Sequence, residues 1–398
     1  MKYLLPFLLL PLAAHAVKID LSGNIEAQGR KTWNNEEAKQ ELMQNWDNSE
    51  FYMFYSNLAA KIDIKGGSRF EANWLVRHAY SDLYQSDVPG QDEYLATNVF
   101  TFPRVIVARD VFKLQYEKQE NKYRTDSVLN KFMYQWNFEE HKVTVGRMFI
   151  NYGQGEIFNP LNPFNQPIAL SSIAQFSQGN DGANFSFYPD DKHSLHFYFL
   201  GDKSLDNYEG QIQKTVWLHG EYAQSENIQI DYVMGEDQNR HKIGGQLTYL
   251  ADAAMIFGQV LYQSDYVNQK PSHNLWDIVL GYDEQLTSKW HLRLEGGYQK
   301  RNRIQDDQRL DNRFLPTEYF LAIANKYEIH PLINLSGIVA SDVKSGFTYL
   351  VAKSTFSLSN NTEAELFAFS PVAKGNEDEF PVQKFVTTDV GLTLRAFF

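Results

Sequence analysis

Between Asn151 and Asn180 the chain carries nine amides, Asn151, Gln154, Asn159, Asn162, Asn165, Gln166, Gln175, Gln178 and Asn180, and one charged residue, Glu156. Amides donate and accept hydrogen bonds without drawing counter-ions. A long loop of that composition can grip neutral polar molecules such as sugars, and long loops in compact folds are commonly functional. The same residue types also serve ordinary turn chemistry at a surface. The chemistry on offer is hydrogen bonding rather than bond breaking. The ten histidines are scattered, cysteine is absent, and neither G-x-S-x-G nor H-E-x-x-H occurs. Thiol catalysis, thiolate metal sites and the common hydrolase signatures are thereby excluded, and neither an enzyme nor a cofactor is expected. A net charge of −12 argues against nucleic acid, which needs a basic face.

The elements that would position such a loop have a period of two. Val386, Thr388, Val390, Leu392, Leu394, Ala396 and Phe398 share one face of the last segment, opposite Thr387, Asp389, Gly391, Thr393 and Arg395. Alternate residues of a strand point the same way, so one face is apolar and the other polar. Trp290, Leu292, Leu294, Gly296 and Tyr298 repeat the layout against His291, Arg293, Glu295 and Gln299, as do Tyr319, Leu321, Ile323 and Tyr327. In both strands two aromatics stand eight residues apart on the apolar face. At ~3.3 Å per residue and a tilt of ~45° this spans roughly 19 Å of membrane normal, close to the ~25 Å band between aromatic girdles in transmembrane barrels.

Eighteen alternating segments can be counted, an even number that brings both ends of an antiparallel barrel to one side, although 16–18 strands fit the pattern. Tight turns at Gly66-Gly67, 139–141, 190–193, 225–226, 251–252, Thr287 and 360–361 alternate with longer connections at 29–50, 82–127, 151–181, 202–211, 265–273, 301–314 and 371–382. Two connections on the longer side, 236–240 and 342–344, are short. The run from Arg104 to Glu117 is placed inside the 82–127 connection or as an extra hairpin, because a further strand would reverse the parity before it. The fold expected is all-β, a transmembrane antiparallel barrel of about 18 strands. Its inner wall would carry charges of both signs, among them Arg293, Arg395, Asp277, Glu295 and Asp389, with no ring of one sign to impose strong ion selectivity. Arg147 shares a face with Val143 and Val145, where charge is costly against lipid, so it is expected to turn inward toward the amide loop.

Residues 1–16 read as a signal peptide: Lys2, an apolar run from Leu4 to Ala14, and the cleavage motif Ala14-His15-Ala16, with the barrel occupying 17–398. The stretch from Phe132 to Pro163, with Gly146-Arg147, Tyr152-Gly153-Gln154-Gly155 and Asn159-Pro160, resembles the strand–turn–strand–loop of outer-membrane porin-like barrels of the alginate-export and porin-type superfamily. The alternating last strand ending on Phe398 is similar to the assembly signal of such barrels. The resemblance implies a Gram-negative outer membrane, contact with its lipid and with the barrel-assembly machinery, and passive diffusion of small hydrophilic solutes, neutral sugars among them. The alternative it leaves is a scaffold or export conduit for a polymer or protein partner. Loop 151–181 would then be a constriction through Asn151, Gln154, Glu156, Asn159, Asn162, Asn165, Gln166 and Gln175. N-terminal sequencing of the mature chain should begin at Val17. Removing Phe398 should lower the heat-modifiable, assembled form in outer-membrane fractions while export continues.

Overall fold

The structure, a computed structural model, describes residues 17–33, 48–64, 66–81, 115–164, 179–202, 213–237, 240–267, 270–299, 318–375 and 388–398. The alternating segments are strands: β1 (Val17–Trp33), β2 (Asn48–Ile64), β3 (Ser68–Ser81), β4 (Gln115–Glu120), β5 (Tyr123–Phe138), β6 (His141–Phe149), β7 (Gly179–Asp190), β8 (His193–Asp202) and β9 (Gln213–Ser225). They continue as β10 (Ile228–Asp237), β11 (Arg240–Ala251), β12 (Ala254–Val267), β13 (Lys270–Thr287), β14 (Trp290–Gln299), β15 (Tyr319–His330), β16 (Ile333–Asp342), β17 (Thr348–Ser359), β18 (Thr362–Ala373) and β19 (Thr388–Phe397). Neighbours pair antiparallel, β3 pairs with β5, and β19 returns to β1 with Asn24 opposite Phe397 and Trp33 opposite Thr388. The result is a closed 18-stranded barrel.

The short strand β4 pairs with β5 at Tyr123 to Val128. β6 occupies the same edge of β5 from Phe132 onward. The run from Arg104 to Glu117 therefore leads into an extra hairpin, whose strand β4 takes in its last three residues and continues to Glu120, and parity is preserved; residues 82–114 lie outside the described residues. All the tight turns expected from the sequence fall at one end of the barrel. One long connection does not exist as such: β12 runs to Val267 and β13 starts at Lys270, so 265–273 is mostly strand. Polar residues there continue the ladder because a strand end beyond the apolar band need not be apolar.

The outer face is the apolar one. Leu247, Leu280 and Leu321 point out and are exposed. Trp290 pairs across the β14–β15 ladder with Tyr327, and Tyr298 with Tyr319, so each aromatic couple marks one rim. Tyr298 and Tyr319 have ring centroids 5.0 Å apart, and Tyr262 and Trp276 continue a girdle at 4.8 Å. Paired aromatics of this kind suit the interface, where one end is apolar and the other wet.

The inner face departs from a uniformly polar lining. Phe257, Val279, Phe320, Ala340, Tyr349, Val351, Phe367 and Phe369, from β12 to β18, form one buried apolar cluster together with Ile157 and Phe158. Segments such as Tyr319–Ala324 and Leu366–Phe369 are apolar on both faces, which a strand needs only when both sides leave water.

Alternation breaks once at a position that matters. Val145 faces out, half-exposed, and in a regular strand Arg147 would follow it. Gly146 has φ of 124°, and Arg147 is completely enclosed. A Cβ on Gly146 would lie 2.2 Å from the Phe132 carbonyl oxygen. Gly66, at a φ of 104°, has no atom within 4 Å of such a Cβ. Gly146→Ala should therefore reduce the assembled barrel and its resistance to heat well beyond Gly66→Ala, measured as the folded band on gels.

Candidate functional site

β6 and β7 frame the amide loop, and Arg147 and Asp181 stand opposite each other at its base. Arg147 Nε and Nη2 donate to Asp181 Oδ1 and Oδ2 at 2.6 and 2.9 Å, and Nη1 donates to the Leu129 carbonyl at 3.2 Å. Both side chains are buried. A bidentate fork of this kind fixes direction as well as distance. Arg147 is thus enclosed and ties the loop's two ends together, the tethering role being one of the two, with pore lining, that its position in the sequence allowed.

From Ile150 to Phe164 the chain folds inside the wall and docks on β9 to β15. The Glu295 carboxylate on β14 accepts from three successive backbone N–H groups, Glu156 at 2.7 Å, Ile157 at 3.0 Å and Phe158 at 3.3 Å. Successive amides converging in this way make an anion-binding nest. Arg293 donates to the Gln154 carbonyl and to Glu295 (Nε to Oε1, 2.7 Å) and Asp283 (Nη1 to Oδ2, 2.8 Å). The Gln154 N–H donates to Gln246 Oε1 at 3.0 Å, and Gln259 Nε2 to Asn159 Oδ1 at 3.3 Å.

Apolar contacts complete the dock. Phe158 meets Phe320 edge-on at 6.0 Å, Phe164 meets Trp217 at 5.5 Å, and Tyr152 stacks on His219 at 4.1 Å. The loop's own fold uses two of the amides. Asn159 Nδ2 donates to the Tyr152 carbonyl at 2.6 Å and Asn162 Nδ2 to the Ile150 carbonyl at 3.2 Å, while Asn162 Oδ1 accepts from Phe164 N. Asn159 and Asn162 are accordingly buried. Asn151 and Glu156 are exposed and Gln154 is half-exposed. Asn165, Gln166 and Gln175 lie outside the described residues.

Among the wall charges read from alternation, Arg293, Glu295, Asp277 and Arg395 carry side-chain partners. Asp277 accepts from Gln263 at 2.6 Å, and Arg395 donates to Glu26 at 2.8 Å with Glu363 at 3.5 Å. Asp389 is buried on the same inner face of β19 as Thr393. On β3 and β5 the Asp126 carboxylate is shared by Arg77 and Arg124. Phe398 lies at the closing seam, where its N–H and C=O bond the C=O and N–H of Gly23, both at 3.0 Å, and its side chain is exposed. Sequence reasoning missed Asp181 and the receiving wall of Gln246, Gln259, Phe257 and Phe320. The doubly apolar strands were the available signal for the last two.

No protein-family model matches the sequence, and no curated protein matches it. Solved structures do match over nearly the whole chain. Acinetobacter baumannii OccAB4 aligns with a TM-score of 0.58 at 8% identity, covering 97% of this chain and 99% of that one. Pseudomonas aeruginosa OccK9 (OpdG) gives 0.59 at 10% identity over 96% and 98%. Pseudomonas aeruginosa OccD3 (OpdP) gives 0.57 at 9% identity over 97% and 92%. The chain shares the barrel fold of these outer-membrane porin structures.

The enclosed Arg147–Asp181 pair generates a stability test. Arg147→Met leaves a buried carboxylate without its partner and should destabilise the barrel by about 3–5 kcal/mol. Arg147→Met combined with Asp181→Leu should recover most of that loss, read from urea unfolding in detergent.

Proposed function

We propose that the chain is an outer-membrane channel for passive diffusion of small hydrophilic solutes, in which residues 150–164 form the constriction. The observation that carries this reading is the Glu295 carboxylate holding three backbone amides of the loop against the inner wall. A loop docked by charge-assisted hydrogen bonds and by aromatic packing narrows the lumen permanently rather than flapping at its mouth. The wet wall is supplied by partly exposed polar inner residues of β2, β3 and β5, such as Lys61, Asp63, Arg69 and Lys131. Because the basic side chains around the loop are locked into ion pairs, the field they project is small. Selectivity then rests on size and hydrogen bonding, which favours neutral solutes such as sugars. Glu156, whose side chain stays exposed beside Arg293, adds a mild preference for cations.

The reading places the chain in a Gram-negative outer membrane, delivered by the signal peptide and by recognition of the Phe398 strand by the barrel-assembly machinery. An export conduit for a polymer is the weaker reading, because a threaded chain would have to displace the docked loop. Excising residues 154–162 removes the contacts to Glu295 and Gln259 while leaving Arg147–Asp181 and the wall ladders in place. Single-channel conductance should rise, and vesicles should admit larger neutral sugars. An unchanged conductance in an assembled barrel would overturn the constriction.

A further inference from the structure

A second group of chemistry-bearing side chains sits on the inner wall of β8, β9 and β10, on the tight-turn side of the docked loop. The register sets His196 opposite His219 and Glu221 opposite Asp231. Phe199, Val216 and Tyr232 occupy the outward positions of the same strands, so these four face inward. His196, His219 and Glu221 each offer one ligand atom, and the three atoms lie within 4.8 Å of one another.

His219 is the informative member. It is 1% exposed, and its Nε2 is buried with no hydrogen-bond partner. The carboxylate oxygens nearest to it, Glu221 Oε1 and Asp231 Oδ1, are both 3.8 Å away. That is too long for a hydrogen bond. It is close to the separation of about 3.4 Å between two ligands of a tetrahedral zinc ion with bonds of ~2.1 Å. A buried polar atom aimed between two carboxylates without bonding either is a site short of a cation.

The surroundings prepare the other ligands. Asn184 Nδ2 donates to the Phe197 carbonyl at 3.4 Å, which turns its Oδ1 toward Ser186, and the Ser186 hydroxyl donates to that oxygen at 2.8 Å. With its proton spent, Ser186 Oγ can only accept from His196 Nδ1, 2.8 Å away. His196 is thereby held with the proton on Nδ1 and the lone pair on Nε2, as a ligating imidazole requires; that lone pair accepts from the Ser194 hydroxyl at 3.2 Å, a bond that a metal ion would replace. Gln229 and Gln246 donate to the Asp231 carboxylate at 3.0 and 2.9 Å, orienting it. Tyr152 from the loop covers the His219 ring at 4.1 Å and keeps that side dry.

We propose that His196, His219 and Glu221 bind one divalent transition-metal ion, with zinc as the ion that two imidazoles and a carboxylate suit best. Asp231 or a lumen water completes the tetrahedron. The ion bridges β8 and β9 under Tyr152.

The test uses the full chain folded in detergent, stripped with a chelator, and titrated with Zn²⁺ by equilibrium dialysis and with Co²⁺ by absorption spectroscopy. One Zn²⁺ per chain should bind saturably. Glu221→Gln and His219→Ala should each weaken binding by at least roughly tenfold. His193→Ala should not weaken it, although His193 forms an exposed pair with Asp190 at a turn, where adventitious metal would collect. Co²⁺ on the unmodified chain should give the intense absorption of a four-coordinate site. Absence of saturable binding, retention of full affinity in Glu221→Gln, loss in His193→Ala, or the weak spectrum of octahedral Co²⁺ would each overturn the proposal. Glu221 is partly exposed, so its substitution leaves a foldable variant even where His219→Ala does not assemble.

Discussion

Backbone N–H and C=O groups have no water to bond within hydrocarbon, so a sheet that crosses a bilayer must close. In this chain closure depends on the seam between β1 and β19, extended by the reciprocal bonds of Gly23 and Phe398. Everything else follows from that ring. Once the ladder is closed, each residue has one of two surroundings, lipid or lumen, and the period of two in the sequence becomes a map of inside and outside.

The same constraint returns inside the lumen. A loop that leaves the wall carries unpaired amides into a crowded space, and these must be satisfied there. Glu295 answers for three of them, while Asn159 and Asn162 answer for two carbonyls. The loop's amide-rich composition therefore has a structural purpose alongside any solute contact. Its apolar residues have one as well: Ile157 and Phe158 join the cluster from β12 to β18, so that side of the barrel has a packed core.

Most of the fold was legible because lipid enforces alternation so strictly. The tight turns, the even strand number and the rims at Trp290, Tyr298, Tyr319 and Tyr327 all follow from local pattern. The 265–273 connection was not legible, since polar residues at a strand end look like loop. The candidate site was half legible. Arg147 stood out as a charge on a lipid-facing parity, and that contradiction is real, resolved by Gly146 at a φ no side chain favours. Its partner Asp181 could not be found, because the two residues stand 34 positions apart in the chain on different strands. Cross-strand clusters such as His196, His219 and Glu221 were hidden for the same reason: register between strands is not written in either strand alone.

The pairing of charges also bears on what kind of pore such a wall can make. An unpaired arginine in a narrow aqueous space projects a strong field and attracts anions. Here Arg293 is held by Glu295 and Asp283, Arg395 by Glu26, and Arg147 by Asp181, so each positive group spends its field on a neighbour. Glu295 is the clearest case: Arg293 fixes it from one side, and the loop amides fill it from the other. Charge in this lumen is thus structural material, used to hold a loop where water alone would not.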